Sequence, residues 1–193
     1  IKKFKWTKNF NIKNNKPIFI ISNEFFDCFP VRQFFKKKTS WFEKMIEYKK
    51  ITNDIGFKDI IVKNSNDLSK IKYCEANNIL ELSSARDEYF LKICKHLKKV
   101  GGIIFTIDYG YYEKPSNFTL QSIKNNKKTN ILSNLGSQDI TALVDFKNLI
   151  KIAENQDLKV NIFSTQRDFF IKYGVIERLK KITKNIPTMQ KKI

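Results

Sequence analysis

Glycine is scarce in this chain. The 193 residues hold six: Gly56, Gly101, Gly102, Gly110, Gly136 and Gly174. None belongs to a GxGxxG run or to GxxxxGK followed by Ser or Thr. A cofactor loop built on close backbone approach to a phosphate or ribose is therefore absent from these residues. Cysteine is as sparse. Cys28, Cys74 and Cys94 are odd in number and widely spaced, which excludes a disulfide framework and a CxxC zinc site and suits a reducing compartment. Long apolar runs are missing too. Pro17–Ile21 and Gly102–Ile107 are strand-sized, far short of the ~18 residues of a transmembrane helix, so no membrane insertion is expected. The opening Ile-Lys-Lys-Phe-Lys-Trp has no apolar stretch behind its charges and does not read as a signal peptide. An Ile start, together with the missing glycine loop, gives the expectation of an internal fragment. The one histidine, His96, has no Cys, Asp or Glu at ligand spacing.

What is present is ample core material. Hydrophobic residues make up 41%, with 17 Phe, so a disordered chain is excluded. The length fits one domain, residues 1–193, at ~150 residues per domain. The net charge is 37 − 19 = +18, yet only four cations are Arg. Lys, Asn and Ile are abundant together, a pattern of AT-rich coding. The charge is read first as a solvated basic surface and second as attraction for a polyanion.

Pro17–Ile21 and Ile103–Ile107 read as buried parallel strands, apolar on both faces. Between them, Val31–Phe35, Trp41–Tyr48 and Phe57–Val62 have strand composition, and Asn53-Asp54-Ile55-Gly56 is a turn signal. Lys63–Asn78 reads as loop or irregular helix. Ser84 can cap a helix, with Asp87 three residues on. Phe90, Ile93, Cys94, Leu97 and Val100 continue it as one apolar face, and Gly101-Gly102 ends it. Asp145 caps a further helix bearing Phe146, Leu149, Ile150 and Ala153. Lys159–Ser164 reads as a strand, Gln166–Tyr173 as a short helix stopped by Gly174, and Ile176–Lys184 as a basic helix. Strand, helix, strand at this spacing predicts a parallel α/β sheet carrying a small β meander.

In open α/β sheets, ligands bind beyond the carboxyl ends of the strands. Two such ends carry acids here: Asn23-Glu24 after the first strand, with Asp27 following, and Asp108-Tyr109 after the second. If the strands are parallel and adjacent, the two ends form one acid-lined mouth. Bland readings stand beside this one. Asp27 can cap a local turn, Phe25 and Phe26 can fill core, Asp139-Ile140-Thr141 can be a helix cap, and Cys28 has no activating base.

Ser22-Asn23-Glu24-Phe25-Phe26-Asp27-Cys28-Phe29-Pro30-Val31-Arg32-Gln33-Phe34 resembles the signature of the MidA family of class I S-adenosylmethionine-dependent methyltransferases. That family includes a mitochondrial complex I assembly factor that methylates an arginine. Gly101-Gly102 with Ile107-Asp108-Tyr109-Gly110-Tyr111, then Thr119-Leu120-Gln121, are similar to further family segments. So are Gly136 with Asp139-Ile140-Thr141-Ala142 and Val144-Asp145-Phe146, then Thr165-Gln166 with Phe169, and Gly174 with Arg178. Trp6 has a counterpart as well. The likeness covers nearly the whole chain. Two family histidines are replaced, by Asn126 and Leu143. The family's upstream glycine loop and ribose acid, and its C-terminal segment, have no counterpart, since the chain stops at Lys191-Lys192-Ile193.

The resemblance implies a Rossmann-like class I methyltransferase sheet, partial here, with S-adenosyl-L-methionine as cofactor and its main binding loop lacking. It implies catalytic roles for Glu24, Asn23, Asp27 and Asp108, with Glu24 first as a clamp on a substrate guanidinium. Asn23, Phe25 and Phe26 are expected beside the cofactor. Pro30, Arg32, Gln33, Tyr109, Asp139 and Thr141 are expected on the substrate side. The partner implied is a protein arginine, such as one in a respiratory complex I subunit. A nucleic-acid amino-methyltransferase is the alternative, though Glu24 and Asp27 would repel phosphate; a non-catalytic assembly partner is the third. The expected compartment is the cytoplasm in a bacterium or the mitochondrial matrix in a eukaryote. The fragment alone is expected to be inactive.

Overall fold

The structure, a computed structural model, describes residues 6–8, 10, 15–73 and 78–184. Cys74 and the Lys191-Lys192-Ile193 end lie outside the described residues. Contacts divide the chain into two compact units, one ending at Leu158 and one beginning at Lys159.

The first unit is mixed α/β. β1 (Ile18–Asn23) pairs in parallel with β6 (Gly102–Ile107), Ile18 opposite Gly102 and Asn23 opposite Ile107. Close approach fixes one residue type here: a Cβ on Gly102, at φ +124°, would lie 2.0 Å from the Ile18 carbonyl oxygen. α2 (Ser84–Val100) connects toward β6 and buries Phe90, Ile93, Cys94 and Leu97. Gly101 (φ 78°) ends it and donates to the Leu97 carbonyl. α3 (Phe146–Glu154) packs into the same core through Leu149 and Ala153, alongside Phe26 and Val144. The Asp145 carboxylate caps it by accepting from the Asn148 N–H at 2.9 Å, as expected.

Four features correct the sequence reading. β1 and β6 are not apolar-buried on both faces. Ile18, Ile20 and Ile104 pack on the core, while Phe19 and Ile21 are 63% and 64% exposed among the described residues. The helix begins one residue earlier than a Ser84 cap requires. Ser83 is the cap residue, and its hydroxyl donates to the Pro30 carbonyl (2.8 Å) instead of capping. Lys63–Asn78 contains a regular helix, α1 (Ser65–Tyr73), followed by β5 (Ile79–Leu82). Lys159–Ser164 pairs with no described strand and is irregular.

The meander is an antiparallel sheet in the order β4-β3-β2-β5. It comprises β2 (Arg32–Lys37), β3 (Ser40–Lys49), β4 (Asp54–Ile61) and β5. It has its own small core of Phe34, Trp41, Ile71 and Leu80. Two short sheets complete the unit. β7 (Gly110–Tyr111) pairs in parallel with β11 (Val144–Asp145), and β8 (Gln121–Lys124) lies between β9 (Lys127–Thr129) and β10 (Asp139–Thr141). Asn126 sits at the exposed β8–β9 tip. The second unit holds α4 (Gln166–Lys172), capped by Thr165, and α5 (Val175–Thr183), which follows Gly174 at φ 88°. No described helix is long and apolar enough to cross a membrane.

Candidate functional site

The parallel pair brings its two acidic ends together, as the sequence predicts. Glu24 N–H donates to the Ile107 carbonyl at 2.9 Å, extending the ladder one step past Asn23. The chain then turns sharply, with Glu24 in the left-handed region at φ 46°. Asp108 holds that turn. Its Oδ2 accepts the N–H groups of Phe25 (3.1 Å) and Phe26 (2.9 Å), and its Oδ1 accepts the N–H of Tyr109 (2.9 Å). Both oxygens are thus engaged by backbone. Burial pushes the Asp108 carboxyl above its ordinary range, the Asp27 charge adds to this, and the N–H donors oppose it.

Around this turn four carboxylates gather. Glu24 is exposed and Asp27 is 4% exposed. Asp27, Asp108 and Asp139 all act on the Cys28 thiol, which is pushed up first by partial burial and then by these charges. That thiol donates to the Phe25 carbonyl (3.1 Å) and has no activating base, so the bland reading of Cys28 holds. The Tyr109 hydroxyl donates to Glu24 Oε2 at 3.3 Å, and the Asp27 charge acts on the same phenol. The segment carrying Asp139 and Thr141 is tied to the same loop, since Ala142 N–H donates to the Asp27 carbonyl (3.0 Å) and Val144 N–H to that of Tyr109 (3.0 Å). Among the described residues, no Lys or Arg forms an ion pair with Glu24, Asp27, Asp108 or Asp139.

The other expected site residues are placed as follows. Asn23 is exposed at the carboxyl end of β1, beside the acids. Phe25 is half-buried and Phe26 has no exposed surface. Both rings join an aromatic cluster with Phe29, Tyr89 and Phe90, which makes Phe26 a core residue. Thr141 is buried in β10 and Asp139 is exposed at its start. Pro30 accepts from Ser83. Arg32 is taken up within the meander. Its guanidinium bonds both oxygens of Glu43 (2.7 and 2.8 Å) and both of Asp67 (2.9 Å each). These bonds hold it above even the usual arginine range. Gln33 is buried and donates to Glu81 Oε1 at 2.7 Å.

Glu81 is a residue the sequence reading missed. Its oxygens also accept from the Thr119 N–H (3.0 Å), the Thr119 hydroxyl (2.5 Å) and the Leu120 N–H (3.3 Å). The Thr119 hydroxyl in turn accepts the Leu143 N–H at 3.0 Å. One carboxylate so joins the meander, the Thr119-Leu120-Gln121 turn and the strap over Asp27. The available signal was an acid inside the short apolar run Ile79–Leu82. His96 packs edge-on against Phe10 (5.6 Å), and no cluster of metal-ligating side chains exists among the described residues.

Residues 1–164 match the family described as "Putative S-adenosyl-L-methionine-dependent methyltransferase". The mitochondrial protein arginine methyltransferase NDUFAF7 homolog of Caenorhabditis elegans is 28% identical over 168 residues, covering 84% of this chain and 38% of that protein. NDUFAF7 of Xenopus laevis is 24% identical over 193 residues, 97% of this chain and 43% of the relative. A crystal structure from Burkholderia thailandensis bound to S-adenosyl-homocysteine has a TM-score of 0.75 at 19% identity, covering 92% of this chain and 47% of that one. The chain spans less than half the length of these proteins. With most of its residues matched, this chain belongs to that family of S-adenosyl-L-methionine-dependent methyltransferases.

Proposed function

We propose that the protein carrying this chain is an S-adenosyl-L-methionine-dependent methyltransferase of Rossmann-like class I fold that methylates a protein arginine. The observation that carries the substrate is the group of Glu24, Asp27, Asp108 and Asp139, which no described Lys or Arg pairs with in a chain of net charge +18. A guanidinium is planar and cationic, and carboxylates bind it through paired, charge-assisted hydrogen bonds. The described residues fit one end of the cofactor. Asn23, exposed at the end of β1 beside the acids, would offer its amide to the cofactor. Phe26 has no surface to offer. Gly110 is no ligand cradle either, since a Cβ there would meet the Val144 carbonyl oxygen at 2.2 Å.

S-adenosylmethionine, when bound, supplies an electrophilic methyl group. The chain's own residues align the acceptor, and alignment is the larger need, since proximity and orientation can supply ~7–11 kcal/mol. Glu24 grips the guanidinium, and Asp27 adds negative charge from beneath. Asp108 keeps the Glu24–Phe26 turn in place. The nitrogen that gains the methyl gives up a proton, and Glu24 is the acceptor at hand. The partner is a protein, with a respiratory complex I subunit as the proposed class that the family resemblance implies. The proposed compartment is the mitochondrial matrix in a eukaryote and the cytoplasm in a bacterium.

The test is methyl incorporation from labelled S-adenosylmethionine by the full-length protein, with arginine peptides, their lysine counterparts and single-stranded nucleic acid as acceptors. Label on arginine alone is expected. Label on nucleic acid, or none at all, would overturn the reading.

A further inference from the structure

Tyr109 stands where the two arms of the mouth meet. Its backbone is pinned on both sides: its N–H donates to Asp108 Oδ1, and its carbonyl accepts from Val144. From that fixed base the phenol reaches across 85 sequence positions to Glu24 Oε2. Glu24 is an exposed side chain on a left-handed residue, and this phenol is its one described side-chain partner. A glutamate otherwise rotates about three bonds, and ordering it on binding costs entropy. A tyrosine ring has only two torsions and loses little when it holds a neighbour still.

We propose that Tyr109 is a positioning residue for Glu24: its hydroxyl holds the Glu24 carboxylate at the mouth before substrate arrives. The hydroxyl occupies one lone pair of Oε2 and leaves Oε1 for the guanidinium. The inference deepens the proposed function and rests on it. The groups facing the phenol are Glu24 and Asp27 from the loop after β1, with Asp108 on its own segment; no described cation pairs with them. Loss of solvent, then Asp27, then Glu24 hold the phenol well above the ordinary tyrosine range. At neutral pH it is therefore a donor and adds no negative charge of its own. Tyr109 is 40% exposed, so deleting its hydroxyl removes the contact without opening the core.

The experiment uses the full-length protein with Tyr109→Phe and Glu24→Gln. Tyr109→Phe is expected to raise KM for an arginine peptide on the order of tenfold, change kcat less, and leave S-adenosylmethionine affinity within about twofold. In ring-labelled protein, the Tyr109 resonance is identified by its loss in Tyr109→Phe. Its titration is expected to fall to lower pH in Glu24→Gln, where the carboxylate charge is gone. An unchanged KM in Tyr109→Phe would overturn the proposal, and so would a Tyr109 titration indifferent to Glu24→Gln. If the wild-type protein methylates no arginine, the functional reading falls and the tyrosine titration alone decides the contact. Should Tyr109→Phe not fold, the high-pH titrating tyrosine that shifts in Glu24→Gln decides in the same way.

Discussion

Two regions of the molecule gather carboxylates, and they treat them in opposite ways. In the meander, Glu43 and Asp67 close on a single guanidinium, and Arg32 answers each with two hydrogen bonds. At the end of the parallel pair, Glu24, Asp27, Asp108 and Asp139 gather with no described cation paired to them. Shortage of cations is not the cause, since the chain carries 37 against 19 acids. The clasp supplies its own arginine and is finished as a structure. The mouth has the chemistry of the clasp with the arginine left out, and so it fits one brought by a partner.

The largest way to break this comparison is Glu24→Gln in the full-length protein. The shape is kept and the charge removed. Losing one side of a charge-assisted pair that the bound substrate buries costs about 2–5 kcal/mol, roughly a 30- to 5,000-fold fall in kcat/KM. Cofactor affinity, measured by calorimetry, is expected to change little. Near-normal turnover would make Glu24 an ordinary surface acid and end the parallel with the clasp.

The features legible in the sequence were those that one residue type or one run dictates. The β1–β6 pair follows from two apolar runs joined by a helix of right-handed crossover length, and the two acidic ends follow from that pairing. Asp145 as a cap and Gly101 as a stop are local chemistry. What was hidden depends on partners distant in sequence. Ser83 and Ser84 are equivalent on paper, and the choice falls to the Pro30 carbonyl that takes the Ser83 hydroxyl. Lys159–Ser164 has strand composition, but a strand exists only where a neighbour accepts its hydrogen bonds. β5 is four residues long, too short to show a period. In the site, Asp108 was legible as an acid in the right place. That both its oxygens serve backbone N–H groups was not, nor was the grip of Glu43 and Asp67 that makes Arg32 part of the framework.

A second prediction shifts one wall of the mouth without touching its charges. A Cβ on Gly110 would lie 2.2 Å from the Val144 carbonyl oxygen and 2.6 Å from the Phe146 ring. Gly110→Ala must therefore part β7 from β11, next to Tyr109. Overpacking of this kind costs about 1–3 kcal/mol, readable as a lower denaturant midpoint. Arginine KM is expected to rise with it. A variant as stable as wild type, with unchanged KM, would show that this wall does not place the acids.

A smaller effect is expected on the clasp side. Arg32→Ala strands Glu43 and Asp67, but the guanidinium is partly exposed, its side chain 45% accessible, and solvent screens the loss. The expected cost is about 1 kcal/mol in denaturant unfolding, with methyl transfer within about threefold of wild type. Arg32→Lys is expected to recover only part of the loss, because an ammonium cannot present the planar fork to two carboxylates. A collapse of transfer in Arg32→Ala, with the fold intact, would move Arg32 back to the substrate side.

The smallest effect is a pH dependence that the two regions should not share. Burial raises the Asp108 carboxyl above its unfolded value, so the folded state holds that proton more tightly than the unfolded chain. Its contribution is present in full below the unfolded carboxylate range and is lost as pH rises through the folded value. Arg32 is displaced upward from a range already far above neutrality, so the clasp adds no slope there. Asp108→Asn removes the titrating group, keeps one carbonyl for the Phe25 and Phe26 N–H groups, and leaves the Tyr109 N–H less well served. That last loss is a cost independent of pH. The stability difference between wild type and Asp108→Asn, taken at each pH so that repulsion from the net positive charge cancels, is expected to move toward the variant as pH rises above the ordinary carboxylate range. Arg32→Lys, run alongside, is expected to stay flat over the same range. A flat Asp108→Asn difference would mean that its N–H donors outweigh burial, and that the Glu24 turn is held by an ordinary ionised carboxylate.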